Sequence, residues 1–442
     1  MSSVSGSAAG QPSGITGASA VVGSTPDASE PGAPAPKSYS IALVTAQVFL
    51  YIALLGPAMV GIGMKIQSLI DAGAIADGAA ESSIAVLQGV GAASAFIANV
   101  VFGRLSDRTT SRWGRRRPWV VGGTALMTIA FGIMATAPNL GTATAGWALA
   151  QLGANATLAA FIATISDQVP RFQRGSITAL LGIAQNVGIL GGAYVADFFA
   201  GHLLIMFVGP SVVAVIAMLV FALILQDRVL PERPPRLSFR GWISTFWVSP
   251  LAHPDYALAW WSRFSIMTAA FMFSTFRFFF IQRELGVPPE QTPRVLSTAV
   301  LIYTCALVIS GWLAGRLSDR LGRRKVFVWS ATVAFAIGTA MLGTVTDVQG
   351  FYLVEAWLGF AYGVYIGVDL ALVVDVLPNP DDAGKDLGVF NMANALPQSL
   401  APVIAGALIY VGSYPNYTLM LGIAGGIALL GALVIFPIRS VR

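Results

Sequence analysis

Residues 103–119 read GRLSDRTTSRWGRRRPW, and GRLSDR returns letter for letter at 315–320. Each copy leads into Gly-Arg-Arg, as Gly114-Arg115-Arg116 and Gly322-Arg323-Arg324, with four more residues in the first loop. Six arginines between Arg104 and Arg117 are conspicuous in a chain that is 55% hydrophobic and 11% charged. Soluble domains carry about 25% charged residues. The mean hydropathy of +0.72 likewise belongs to a membrane protein. Apolar runs of about 20 residues recur along the chain, the length a helix needs to cross a bilayer. A spanning helix satisfies its own backbone hydrogen bonds, so the expected fold is all-α.

Hydropathy divides the chain into about 12 transmembrane helices in two pseudo-symmetric six-helix halves. The expected spans are 41–64, 83–104, 118–138, 142–167, 176–200 and 203–226, then 257–282, 294–316, 326–346, 350–375, 387–412 and 416–438. Four segments follow: a disordered cytoplasmic tail at 1–38, an N-terminal six-helix bundle at 39–226, a central cytoplasmic loop at 227–256 and a C-terminal bundle at 257–442. The tail is rich in Ser, Gly, Ala and Pro and lacks the basic start and apolar core of a signal peptide. Of the 26 lysines and arginines, 21 fall in segments on one side, three (Lys65, Arg283 and Arg294) on the other, and Arg263 and Arg277 inside a span. Positive charge marks the cytoplasmic side, so both termini are expected there, in a multi-pass protein of the cell membrane.

Net charge is +5, but the cations sit in short loops between apolar segments, which argues against a nucleic-acid partner. Cys305 is the single cysteine, and His202 and His253 stand far apart, so no disulfide, redox motif or metal-ligand cluster is expected. No GxxxxGK[ST] loop and no nucleophile–base set stand out, so an ATP-driven pump or an enzyme is not expected, nor a cofactor. Energy must then come from an ion or solute gradient.

The arginines of 104–117 hold that loop on its side, but topology does not require the same frame twice. Gly103 and Gly315 can let a neighbouring helix approach closely. Asp107 and Asp319 can accept from the N-terminus of a helix in the opposite half: the start of span 11 (Lys385-Asp386-Leu387) and of span 5 (Gly175-Ser176). Arg108, Arg115, Arg320 and Arg323 can pair with carboxylates closing spans 4 and 10, where ISDQVPRFQRGS and VVDVLPNPDDAGKD share Asp167/Asp375 and Pro170/Pro378. Contacts of this kind form a cytoplasmic latch, made in one state and broken in the other. Duplicated six-helix halves suit a transporter that rocks about a central site.

GRLSDRLGRRK resembles the loop-2/3 signature of the major facilitator superfamily, present here in both halves over a match covering about 40–440. The first copy, SDRTTSRWGRRRPW, is similar to that of the sucrose/proton symporters and related glycoside carriers. The resemblance implies alternating access, with spans 1, 4, 7 and 10 lining the cavity.

Ionisable residues inside spans are costly and usually functional. Arg263 and Arg277 are 14 residues apart on span 7, and Glu355 and Asp369 are 14 apart on span 10. That spacing returns to within about 40° of the same helix face. Because the two spans run in opposite directions, Arg263 should meet Asp369 at one depth and Arg277 should meet Glu355 at another. Asp369 is the expected proton carrier; Glu355 and Arg277 could instead snorkel to the interface. Tyr362 and Tyr365 add an aromatic face suited to a sugar. Gln151 and Asn155 on span 4, Gln185 on span 5, and Asn391, Asn394 and Gln398 on span 11 are further substrate candidates, each alone also explicable as helix–helix glue. Asp197 is a candidate gate residue, and Gly56-Pro57 should mark a kink. The expected function is proton-coupled symport of a disaccharide or related glycoside by a monomer in the bilayer. A proton-coupled exporter of drugs or metabolites is the alternative, weakened by span 5 having no Gly-Pro.

Overall fold

The computed structural model describes residues 34–227, 229, 248–377 and 383–438. Among them are twelve helices long and apolar enough to cross a membrane. In chain order these are α1 (Lys37–Asp71), α2 (Asp77–Asp107), α3 (Arg117–Thr136), α4 (Leu140–Gln168), α5 (Phe172–Phe198) and α6 (Leu203–Ile224). The second set is α7 (Pro254–Arg283), α8 (Thr292–Leu321), α9 (Arg324–Leu342), α10 (Val348–Val373), α11 (Val389–Ile409) and α12 (Tyr417–Ile435). No strand occurs among the described residues. Residues 1–33 of the expected tail and 230–247 of the expected central loop lie outside those described; α1 already begins at Lys37.

The twofold repeat is visible in how helices start. Asn139 accepts the backbone N–H of Thr142 at 2.9 Å at the start of α4, and Asp347 accepts that of Gly350 at 2.6 Å at the start of α10. Both are N-caps, each meeting one of the orphan amides of a first turn. Packing repeats too. Within the first half α4 packs on α2 and α3, α1 on α5 and α6, and α3 on α6. Within the second half α10 packs on α8 and α9, α7 on α11 and α12, and α9 on α12. The halves meet chiefly where α2 packs on α11 and α5 on α8, themselves a symmetric pair.

With twelve crossings, α1 begins and α12 ends on one face of the bundle, called here the terminal face; the opposite one is the far face. At Gly56-Pro57 the helix converts to a π-helical turn over Pro57–Gly61 and continues to Asp71. A proline removes one backbone donor, and a wider turn accommodates that loss. Gly56 is needed for packing, since a Cβ there would lie 2.6 Å from the carbonyl oxygen of Gly192 in α5. Because α1 runs past the expected boundary at 64, Lys65 lies inside the helix. It is 5% exposed, with Nζ donating to the carbonyl of Ala135 at 3.0 Å.

Candidate transport site

The duplicated signature builds one ion-pair knot in each half on the terminal face. In the first half Arg116 is 3% exposed. Its guanidinium donates to Ser106 Oγ at 2.7 Å, pairs with Asp107 Oδ1 at 2.6 Å and reaches Asp167 Oδ2 at 3.1 Å. Arg115 joins the same Asp167. Asp227 then accepts the backbone N–H groups of Arg116 and Arg117, at 2.6 and 2.9 Å, where the start of α3 offers unsatisfied donors. In the second half Arg324 pairs with Asp375 at 2.8 Å and lies 3.8 Å from Asp319. The bridging position is therefore the second arginine of each Gly-Arg-Arg.

Several expected latch contacts are arranged differently here. Asp107 pairs with Arg116 within its own half, and residues 378–382, just ahead of the expected partner segment, lie outside those described. The Asp319 side chain is 70% exposed, and a Cβ on Gly175 at the start of α5 would meet nothing within 4 Å. Arg320 and Arg323 point to the surface. The close approach expected at Gly103 is absent, because a Cβ there would meet only Ala159 at an ordinary 3.9 Å. At Gly315 it is present, with the carbonyl of Gly367 3.3 Å away. Lys385 lacks a described side chain, whereas Asp386 is buried at 4% exposure and its carbonyl accepts the Tyr256 hydroxyl at 2.6 Å.

Both intramembrane pairs form. Arg263 Nη1 lies 3.1 Å from Asp369 Oδ2, and Asp369 is 4% exposed. Arg263 Nε donates to Asn394 Oδ1 at 2.9 Å, and Asn394 Nδ2 donates to Asn391 Oδ1 at 3.0 Å. One continuous polar string thus crosses α10, α7 and α11, ending at the exposed Asn391. The Arg263 guanidinium also lies over the Phe390 ring, 5.0 Å from its centroid. A buried ion pair needs such added partners to offset the desolvation of both charges. Behind the carboxylate, Tyr365 is buried one turn away and stacks on Tyr362 with ring centroids 6.1 Å apart.

The second pair joins Arg277 Nε to Glu355 Oε1 at 3.1 Å. Snorkelling to the interface, left open by sequence, is not what these side chains do: Glu355 is 0% exposed and Arg277 7%. Phe273 and Tyr303 flank the guanidinium at 4.9 and 5.8 Å. Asn155 links α4 to α2. Asn155 donates to Gln151 Oε1 at 3.2 Å and accepts from Asn99 of α2 at 3.4 Å. Gln185 and Gln398 are exposed. Asp197 accepts the Ser297 hydroxyl at 3.4 Å, joining α5 to α8. Sequence reasoning passed over Glu81, a fully buried carboxylate in the first turns of α2. Its signal was present, since a glutamate opening an apolar run needs a cation, and Arg283 had been counted only as a loop charge. Among the described residues no group of three His, Cys, Asp or Glu side chains could hold a metal ion.

Comparison with known proteins agrees with this architecture. The sequence pattern described as Major Facilitator Superfamily matches residues 40–314 and 264–442. An uncharacterised MFS-type transporter of Mycobacterium tuberculosis is 24% identical over 81% of this chain and 85% of its own. The citrate exporter of Aspergillus niger is 30% identical over 32% of this chain, which spans 27% of that protein's length. The citrate-proton symporter of Klebsiella pneumoniae is 32% identical over 26% of this chain and 29% of its own. Among solved structures, a peptide transporter POT in complex with sulfate superposes with a TM-score of 0.70 at 14% identity, over 92% of this chain and 94% of its own. A point mutant of the nucleoside transporter NupG gives 0.69 at 15% identity, over 90% of this chain and 99% of its own.

Proposed function

The chain belongs to the major facilitator superfamily and is a membrane transporter rather than an enzyme, and from that premise we propose that it is a proton-coupled symporter whose proton carrier is Asp369. The terminal face is cytoplasmic in this reading, and the protein resides in the cell membrane as a monomer. The observation that carries the proposal is the Arg263–Asp369 pair, whose carboxylate is buried yet joined through Arg263 and Asn394 to the exposed amide of Asn391. A proton arriving on Asp369 cancels its attraction for Arg263 and leaves the guanidinium able to turn to cargo; losing the proton restores the pair. The site is thus rearranged by the same event that carries the coupling ion.

The cargo assigned is a disaccharide or related glycoside. Supporting it are the likeness of residues 103–119 to the sucrose/proton symporter signature, the amides of Asn391 and Asn394, and the Tyr362–Tyr365 face. A second reading, an organic carboxylate, is favoured by the guanidinium of Arg263 and by the partial likeness to citrate transporters. Uptake of labelled sucrose, maltose, trehalose and citrate into proteoliposomes under an imposed inward proton gradient separates them. Gradient-driven accumulation of a sugar supports the first reading and accumulation of citrate alone the second. If none accumulates in that direction while outward flux responds to the gradient, the exporter alternative replaces both.

A further inference from the structure

On the far face the two halves are tied together by a cluster outside the transport site. Glu81, 0% exposed, lies in α2 of the first half; among the described residues, the side chains that meet its carboxylate come from the second. Arg283, the last residue of α7, places Nε 2.8 Å from Glu81 Oε1. The Tyr417 hydroxyl, from the first turn of α12, donates to the same oxygen at 2.9 Å. The Tyr414 hydroxyl donates to Oε2 at 2.5 Å. Both carboxylate oxygens are thus satisfied by donors that leave together if the halves part. Arg283 also donates to the carbonyl and to Oδ1 of Asp77, both at 3.0 Å. Around this centre the Tyr410 hydroxyl donates to the carbonyl of Gly78 at 2.9 Å and accepts the Ser82 amide at 3.3 Å. Tyr410 and Tyr414 stack at 4.8 Å. Burial first, and the bond to Glu81 second, raise the Tyr414 hydroxyl well above the ordinary tyrosine range, so it remains a donor.

We propose that Glu81 and Arg283 are the positioning residues of far-face closure, an inter-half ion pair whose strength sets how often that side opens. Neither the proton nor the cargo assigned above enters this inference. Its physical basis is the asymmetry of buried ion pairs. A complete pair with full hydrogen bonding contributes little net stability, while removing one partner leaves a buried charge that is very costly. In a two-state carrier that cost has an outlet, since parting the halves returns the lone carboxylate to water. The two partners differ in what they keep. Without Arg283, Glu81 has only two hydroxyl donors; without Glu81, Arg283 retains Asp77, whose side chain is 71% exposed. Removing the arginine therefore opens the far face more than removing the glutamate, and removing both returns the protein toward its original balance.

The test is maleimide labelling of a reporter cysteine in nanodisc-embedded protein, in a background where Cys305 is replaced by serine. Ala85 serves as the reporter site: it is 8% exposed, and a Cβ built on Gly406 of α11 would lie 2.6 Å from its side chain. Opening of the far face uncovers it. Arg283→Gln should raise the labelling rate of the Ala85→Cys protein by roughly tenfold and Glu81→Gln by about threefold, with the double variant nearer the starting rate than Arg283→Gln. That return is the readout a general loss of packing would not give. A folded Arg283→Gln protein labelled at the starting rate overturns the proposal, as does a double variant labelled faster than either single. If Arg283→Gln does not purify as a monodisperse protein, Tyr414→Phe carries the test: faster labelling supports the inference and an unchanged rate overturns it.

Discussion

The two halves share one packing plan and differ in what they bury. In the first, the helix α4 carries Gln151 and Asn155, neutral amides bonded to each other and to Asn99 of α2. In the second, the equivalent helix α10 carries Glu355 and Asp369, each matched by an arginine of α7. Helix α7's counterpart, α1, has no arginine within its span; its one cation buried there, Lys65, rests on a backbone carbonyl. Matching packing thus carries different polarity on α4 and α10. In the proposed reading, the second half holds the charges whose neutralisation drives the movement, and the first half offers a surface to move against.

The largest expected effect comes from making the second half resemble the first. Asp369→Asn should abolish gradient-driven accumulation, while exchange of labelled for unlabelled cargo across the same membrane continues, because exchange needs no net proton movement. Accumulation at the full level would break the division of labour. Next is the more fully buried pair, Arg277–Glu355. Arg277→Met alone strands Glu355 and should cost roughly 3–5 kcal/mol of thermal stability, whereas Arg277→Met with Glu355→Leu should recover most of it. Transport by that double variant would mark the pair as structural; its loss with stability restored would sharpen the contrast by giving the second half two working charges.

Smaller effects test the shared scaffold. Gly192→Ala would push a Cβ to 2.8 Å from the backbone nitrogen of Gly56. Overpacking of this kind costs roughly 1–3 kcal/mol and should lower the melting temperature without changing the coupling ion. Asn155→Ala removes an interhelical amide contact in the first half, worth about 0.6 kcal/mol in membrane interiors, and uptake should be little changed. A strong loss of uptake with normal stability would place cargo contacts in the first half as well.

Much of this arrangement could be read from the chain. Membrane helices announce themselves by length and apolarity, and the duplicated Gly-x-x-Ser-Asp-Arg frame revealed the repeat. The spacing of 14 on both α7 and α10 was enough to pair Arg263 with Asp369 and Arg277 with Glu355, because helical periodicity converts spacing into a face and antiparallel direction converts it into depth. What stayed hidden depends on local direction and on contacts between distant segments. Among Arg115, Arg116 and Arg117, or Arg323 and Arg324, only the entry angle of the following helix decides which guanidinium turns inward. Lys65 looked like a loop residue because hydropathy falls before α1 ends. Glu81 and Arg283 lie 202 positions apart near opposite helix ends, where no periodicity links them.

The central claim, that Asp369 carries the proton, is tested most directly inside proteoliposomes loaded with a pH-sensitive dye. Transportable cargo added outside, with no imposed gradient, should acidify the lumen when the liposomes hold the unaltered protein. Liposomes holding Asp369→Asn should show no acidification, although that variant still exchanges labelled cargo. Acidification of equal size with both proteins would contradict the account and move the proton to another residue.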